Sequence, residues 1–358
     1  MVGSTSARIS SNPVVEAEIG FIFVRGRRVA FQLTGTGPPI VAPAWWLSNL
    51  ELDARDQQQV QFWRSVAAGH SLLRYDHLGV GASDRNVSPE ELTLEVEVEV
   101  LVRLVEELGL RRITLLGGSS GGPAAVRFAA RFPDRVDRLL LYGAFARGAA
   151  IADAPVREAI VGTIQAHWGL GSRLLCDLFL GPAGSAERER FAVYQRETAT
   201  AGTAIALLQL MYQTDVRSDV GRVRVPALVS HRRGDRAIPF RLGRELAVGI
   251  PGARLVPLDG VAHFPWAGDS RLVVRALRSV LDAGGPPAAG LAQPPAGVTE
   301  RELQVLRLLA RGFTDREIAE QLVVSPHTVH RHVANLRTRL GQSSRAALVA
   351  EAARRSLL

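Results

Sequence analysis

The sequence predicts a two-part chain: an α/β domain built on a mainly parallel sheet, followed by a small all-α domain that contains a helix-turn-helix. Three observations carry this. Over residues 15–282, short apolar runs bounded by turn residues alternate with helical stretches. Gly, Pro and Ala then crowd out all periodicity over residues 283–297, AGGPPAAGLAQPPAG, as in a linker. Over residues 298–358 the text is helical throughout, with start and stop signals for each helix.

A length of 358 residues fits two domains, and 47% hydrophobic with 22% charged residues is ordinary globular composition. Cys176 stands alone, so no intrachain disulfide can form, and it reads as a buried small apolar residue. Residues 1–14 read as disordered. The opening segment has no apolar h-region and no run is long enough to span a bilayer, so a cytoplasmic protein with no membrane partner is expected. The net charge of +8 rests on arginine alone, because the sequence has no lysine. That balance favours polyanionic partners, although genomic base composition would produce the same bias.

Residues 18–24 and 28–33, separated by a Gly-containing turn, read as an antiparallel hairpin, and 40–42, 72–75, 113–116, 138–142, 227–230 and 254–257 as sheet strands. Residues 94–100 alternate strictly, LEVEVEV, which locally is a strand pattern. A helix is expected there instead. The continuation LVRLVEELG has helical spacing and a Gly stop, and parallel runs at 72 and 113 need a crossover between them. Over residues 147–222 the strand alternation gives way to helices broken by Gly, and an insertion after one strand is where a lid sits.

The run ITLL leads into GGSSGG and then into the helix PAAVRFAARF. A serine on a sharp strand-to-helix turn needs Gly two positions to either side, and both Ser119 and Ser120 satisfy GxSxG. A Gly-rich turn that merely starts a helix would satisfy an isolated match as well. The wider segment LLGGSSGGPAAVRFAARFPDRVDRLLLYG resembles the nucleophile region of the α/β-hydrolase family, strand, G-H-S-x-G-G, helix. The resemblance implies an α/β-hydrolase fold with a helical lid, Ser119 as nucleophile and Gly118 where His is common. RYDHLGVGASD is similar to the family's D-x-R-G-x-G-x-S loop, with His77 and Leu78 in place of the usual residues. SHRRGDRAIPF resembles the strand that delivers the triad acid, implying Asp235, and DGVAHFPW the loop that carries the base, implying His263.

In that order His263 takes the proton from Ser119 during attack, while Asp235 holds the imidazole tautomer and stabilises its charge. The oxyanion region departs from the family pattern: PPIVAPAWWLSNLEL puts Ala44-Trp45 where His-Gly is usual. The hole would then use the backbone N–H of Ser120 and that of Trp45 or Trp46. Trp45, Trp46, Trp168 and Trp266 suggest an apolar ligand pocket. A serine nucleophile argues against dehalogenase or epoxide-hydrolase chemistry and leaves ester, lactone, thioester and C–C hydrolysis open. His70, His77, His167 and His231 lack metal-ligand spacing, so neither metal nor cofactor is expected.

In the last segment Thr299 with Glu302 and Thr314 with Glu317 are capping boxes, Ser325-Pro326 starts a helix, and Gly312 and Gly341 stand as C-terminal caps. Helices at 315–322 and 326–340, joined by a very short turn, make a helix-turn-helix. Val329, Val333, Leu336 and Leu340 form its buried stripe. The other side offers His327, Thr328, His330, Arg331, Ala334 and Asn335, with Ser325 at the start. On helices alone a small protein-binding bundle fits too. The ordered motifs T-E-R-E, E-I-A-x-x-L, S-x-x-T-V-x-x-H-V and L-G-x-S-S-R-A resemble the LuxR family over the whole segment.

That resemblance implies double-stranded DNA as partner, with Ser325, His327, Thr328, His330, Arg331 and Asn335 at the major groove. His330 replaces the family's usual lysine; mostly neutral at pH 7, it predicts a weaker, pH-sensitive contact. A final amphipathic helix is expected over 346–357, with Leu348, Ala352 and Arg355 at near-helical spacing, and the family resemblance implies homodimerisation through it and hence a roughly palindromic operator. RNA polymerase is a candidate further partner. The combined expectation is a transcriptional regulator whose hydrolase-like domain senses a small apolar ligand; the alternative is a working serine hydrolase with a DNA-binding tail.

Overall fold

A computed structural model describes residues 18–282, 300–310, 312–322 and 324–354. The expected disordered start at 1–14, the linker at 283–297, Thr299 and Arg355 lie outside the described residues. The first unit is an eight-stranded sheet formed by β1 (Ile19–Val24), β2 (Arg27–Gly35), β3 (Pro39–Ala42), β4 (Ser71–Tyr75), β5 (Ile113–Gly118), β6 (Val136–Tyr142), β7 (Ala227–Arg232) and β8 (Arg254–Leu258), in the order β1-β2-β4-β3-β5-β6-β7-β8. β1 and β2 join antiparallel, and every pairing from β4 across to β8 is parallel. This is the α/β-hydrolase sheet, with the swap of β3 and β4 placing β5 centrally.

Parallel strands require crossovers, and these are helical. Helices α1 (Leu50–Asp53) and α2 (Gln57–Val66) join β3 to β4, α3 (Leu94–Glu107) joins β4 to β5, and α4 (Gly121–Arg131) joins β5 to β6. Between β6 and β7 stand α5 (Ala154–Ala166), α6 (Trp168–Phe179), α7 (Ser185–Thr198), α8 (Ala201–Gln213) and α9 (Arg217–Val220). α10 (Phe240–Gly249) joins β7 to β8 and α11 (Ser270–Leu281) follows β8.

Because both faces of the sheet are covered, adjacent residues of one strand enter different cores. Leu115, Leu139 and Leu141 pack with α3 and α4, while Leu116 and Leu140 pack with Phe62 of α2 and Leu277 of α11. The alternating segment is helical: the Thr93 side chain accepts from the Val96 N–H, and Val96, Val100, Leu101 and Leu104 face the core. One of its acidic residues, Glu97, is buried with them. Cys176 is buried on α6, and burial pushes its thiol up to about 11, so it stays neutral.

The second unit holds α12 (Glu300–Ala310), α13 (Asp315–Leu322), α14 (Pro326–Leu340) and α15 (Arg345–Arg354) around their own core. The Thr314 N–H donates to Glu317 and the Glu317 N–H to the Thr314 hydroxyl, a complete capping box at α13. Gly312 and Gly341 take left-handed φ values of 82° and 66°. No helix among the described residues is long and apolar enough to cross a membrane.

Candidate active site and nucleic-acid interface

Ser119, Asp235 and His263, separated by up to 144 residues in sequence, meet at the C-terminal edge of the sheet, following β5, β7 and β8. His263 Nε2 lies 2.8 Å from Ser119 Oγ, and Nδ1 lies 2.8 Å from Asp235 Oδ2. The other Asp235 oxygen accepts from the N–H groups of Ala237 and Ile238, which leaves the carboxylate one orientation. Burial alone would raise the Asp235 pKa. The imidazoles of His263 and His231 reverse that and hold the carboxyl well below its usual range. His231, buried and 3.4 Å from Asp235, is a second imidazole at the acid, with Nε2 against the Ile238 carbonyl.

Backbone geometry separates the two possible serine registers. Ser119 sits at φ 50°, a left-handed conformation costly for any residue but glycine, whereas Ser120 is ordinary right-handed helix N-cap. Its flanking glycines are needed for approach: a Cβ at Gly117 would stand 2.9 Å from the Gly122 Cα, and one at Gly121 2.7 Å from the Pro43 carbonyl oxygen. Ser119 is 2% exposed and His263 fully buried. The lid covers them. The His263 N–H donates to the Phe179 carbonyl at 2.7 Å, and the Phe179 ring lies 5.5 Å from the imidazole.

Gly118, at the position where the family commonly has His, has a local cause. A Cβ there would fall 1.9 Å from Trp45 Cζ2, so the indole occupies the volume a side chain would need. Gly118→His is therefore expected to overpack the site and lower the domain's Tm by roughly 2–10 °C. Combining it with Trp45→Leu should recover most of the loss; calorimetry showing additive losses instead would contradict the steric account.

The loop bearing Trp45 is gripped from below. His77 Nδ1 lies 2.6 Å from Glu97 Oε1, and the Tyr75 hydroxyl donates to Glu97 Oε2 at 3.3 Å. The His77 backbone N–H in turn donates to the Ser48 hydroxyl at 3.1 Å, three residues after Trp45. Burial opposes the charge on His77, but the Glu97 carboxylate outweighs it and raises the pKa above the ordinary 6.5. These contacts tie the end of β4 to α3 and to the loop that follows β3.

The four tryptophans singled out in the sequence part company. Trp45 and Trp266 stack at 5.3 Å and line a cleft of about 830 Å³. Trp46 instead stacks flat on Phe179 at 5.4 Å and donates to the Ala204 carbonyl, in the core under the lid. Trp168 donates to the Ala199 carbonyl within the lid. Neither lines the cleft. Trp63, which sequence reasoning passed over, does, together with Asp53, Arg74 and Tyr194. Neither Ser119 nor His263 lines it, because Trp45 and Phe264 stand between. Among the described residues no group of three or more His, Cys, Asp or Glu is placed to hold a metal ion.

In the second unit the Ser325 side chain caps α14, accepting from the Thr328 N–H, and the Thr328 hydroxyl pairs with that of Ser325. Val329, Val333, Leu336 and Leu340 are buried against α12 and α13. Their burial turns His327, His330, Arg331 and Asn335 outward into solvent. His330 lies 3.6 Å from the Asp315 carboxylate, which also pairs with Arg345. Leu348 and Ala352 of α15 are fully buried in this unit's own core, so the stripe expected to serve dimerisation is spent on internal packing.

Comparison with known proteins finds two families in the chain. The model of bacterial regulatory proteins of the luxR family matches residues 296–352, and that of the alpha/beta hydrolase fold matches residues 57–266. A 2-hydroxy-6-oxononadienedioate/2-hydroxy-6-oxononatrienedioate hydrolase of Cupriavidus pinatubonensis is 28% identical over 263 residues, covering 68% of this chain and 82% of its own. Among solved structures, a hydrolase from Pseudomonas aeruginosa superposes with a TM-score of 0.61 at 25% identity over 74% of this chain and 98% of its own. A bromoperoxidase from Bacillus anthracis gives 0.65 at 21% identity over 74% and 100%, a likeness of fold alone.

Proposed function

Since the chain belongs to the alpha/beta hydrolase fold family and ends in a luxR-family DNA-binding domain, we propose that it is a transcriptional regulator whose hydrolase-fold domain binds a small apolar ligand and adjusts DNA affinity. The observation that carries this reading is the outward face of α14, where Arg331 and Asn335 stand free of the core with His327 and His330 beside them. An arginine on such a face makes a bidentate contact to guanine, and an asparagine one to adenine. A net charge of +8 adds the sequence-independent attraction to phosphate.

Genome-wide mapping of bound sites tests the reading. On a fragment recovered that way, Arg331→Ala is expected to weaken binding roughly 5- to 150-fold in fluorescence anisotropy at fixed salt. Failure of the wild-type protein to enrich any DNA segment would overturn it.

A second reading is favoured by the 2.8 Å contacts on both sides of His263 and by the strained φ of Ser119: the domain is a competent serine hydrolase. Its hydrolase relatives support this too. The two readings coexist if the domain turns over its own effector and so ends the signal. Access to Ser119 then requires the lid to part from His263 at Phe179.

A further inference from the structure

Resting on the ligand-sensing reading, we propose that the effector is a flat, uncharged aromatic molecule with one hydrogen-bonding oxygen, and that it binds over the C-terminal ends of β3 and β4, beside the triad rather than above Ser119. The cleft there, about 830 Å³, is of the size that holds a drug-sized molecule. Its walls are rings. Trp45, Trp63 and Trp266 contribute indoles, with Phe264 stacked on Trp266 at 5.1 Å. The Nε1–H groups of Trp45 and Trp63 are buried without an acceptor in the protein, so these side chains offer ring surface rather than donors. Ring surface of this kind selects flat aromatic ligands.

Of the charged lining residues, Asp53 and Arg74 are largely buried and Glu187 half-buried, whereas Arg55, Asp56, Glu189, Arg190 and Glu197 are exposed at the rim. Arg74 donates to Asp53 at 3.0 Å while its guanidinium lies 5.2 Å from the Trp63 ring, and the Tyr194 hydroxyl donates to the other Asp53 oxygen at 3.0 Å. The two charges already answer each other, and both side chains are largely buried. A charged group seated against this buried pair would be desolvated with no partner left for it there, which selects a neutral one. A single oxygen can still bond to this chain of polar groups. Tyr194 belongs to the lid and Asp53 to the sheet domain, 141 residues apart, so an occupant touches both sides of the joint that would have to move. That is the property a sensor needs.

Photolabelling of the full-length protein with benzophenone, a neutral aromatic ketone, tests the site. Saturable labels are expected within residues 47–63 and 186–194, reduced at least about tenfold by Leu52→Trp, which fills the cleft, or by Gln58→Trp at its exposed rim. The anion 4-benzoylbenzoate should compete about tenfold less well than benzophenone itself. Labels within 117–122 or 143–146, no saturable labelling, or equal competition by the anion would each overturn the proposal. DNA affinity measured in the same samples separates the two readings: cleft labels with unaltered DNA binding would uphold the site and overturn sensing.

Discussion

Ser119→Ala is expected to abolish covalent labelling by a serine-directed fluorophosphonate and to lower any ester or lactone hydrolysis by roughly 10⁴-fold or more, as loss of a nucleophile does. The expectation rests on geometry. Ser119 is the serine held at φ 50° with its hydroxyl 2.8 Å from His263, while neighbouring Ser120 lies in the first turn of α4 with its hydroxyl buried and unpartnered. Asp235→Asn should leave the site folded yet cost a comparable factor, about 10⁴, because an amide cannot favour the tautomer that accepts the serine proton. Mass spectrometry of the labelled protein reads both variants. A wild-type chain that resists the probe would sink the catalytic reading and leave the DNA-binding one intact; equal labelling of Ser119→Ala would show that another residue reacts.

Glu97→Ala should destabilise the hydrolase-fold domain by about 2–5 kcal/mol, a Tm fall of roughly 4–20 °C, because it leaves the buried His77 Nδ1 and the Tyr75 hydroxyl without their partner. The pH dependence has a defined sign. His77 is raised above 6.5 in the folded protein, so the stability that its protonated form draws from Glu97 is fully present below about pH 6.5 and lost as pH rises through the raised value. The Tm gap between wild type and Glu97→Gln should therefore narrow in calorimetry as pH rises above about 6.5. A gap that stays constant would mean the pair carries no charge.

Glu97 also illustrates what could be read from the sequence and what could not. That residues 94–107 form a helix follows from connectivity, because the parallel strands on either side need a crossover whatever LEVEVEV suggests locally. That the middle glutamate of this run points inward does not follow, since its partners Tyr75 and His77 come from the end of another strand. That Ser119, Asp235 and His263 come together was readable, because each is embedded in its own local motif after a strand. The cleft was not, because Asp53, Trp63, Arg74 and Tyr194 sit in four different segments, and even Arg74 lies two residues before the D-x-R-G-like loop begins. Tryptophan content suggested a pocket, but only tertiary packing decides which indoles face it: Trp45 and Trp46 are adjacent in sequence and enter different cores. Likewise, an apolar stripe on α15 has the same pattern whether it meets a second copy or its own domain, and Leu348 and Ala352 meet their own.

The hydrogen bond from the His263 backbone N–H to the Phe179 carbonyl ties the loop after β8 to the end of α6. With that bond made, Ser119 is 2% exposed. If the segment moved far enough to admit a molecule, the loop that carries His263 would lose an anchor. On the reading proposed above, readiness and reach would then be set against each other: a signal molecule would not be consumed by casual collision, and its lifetime would follow how often the lid lifts.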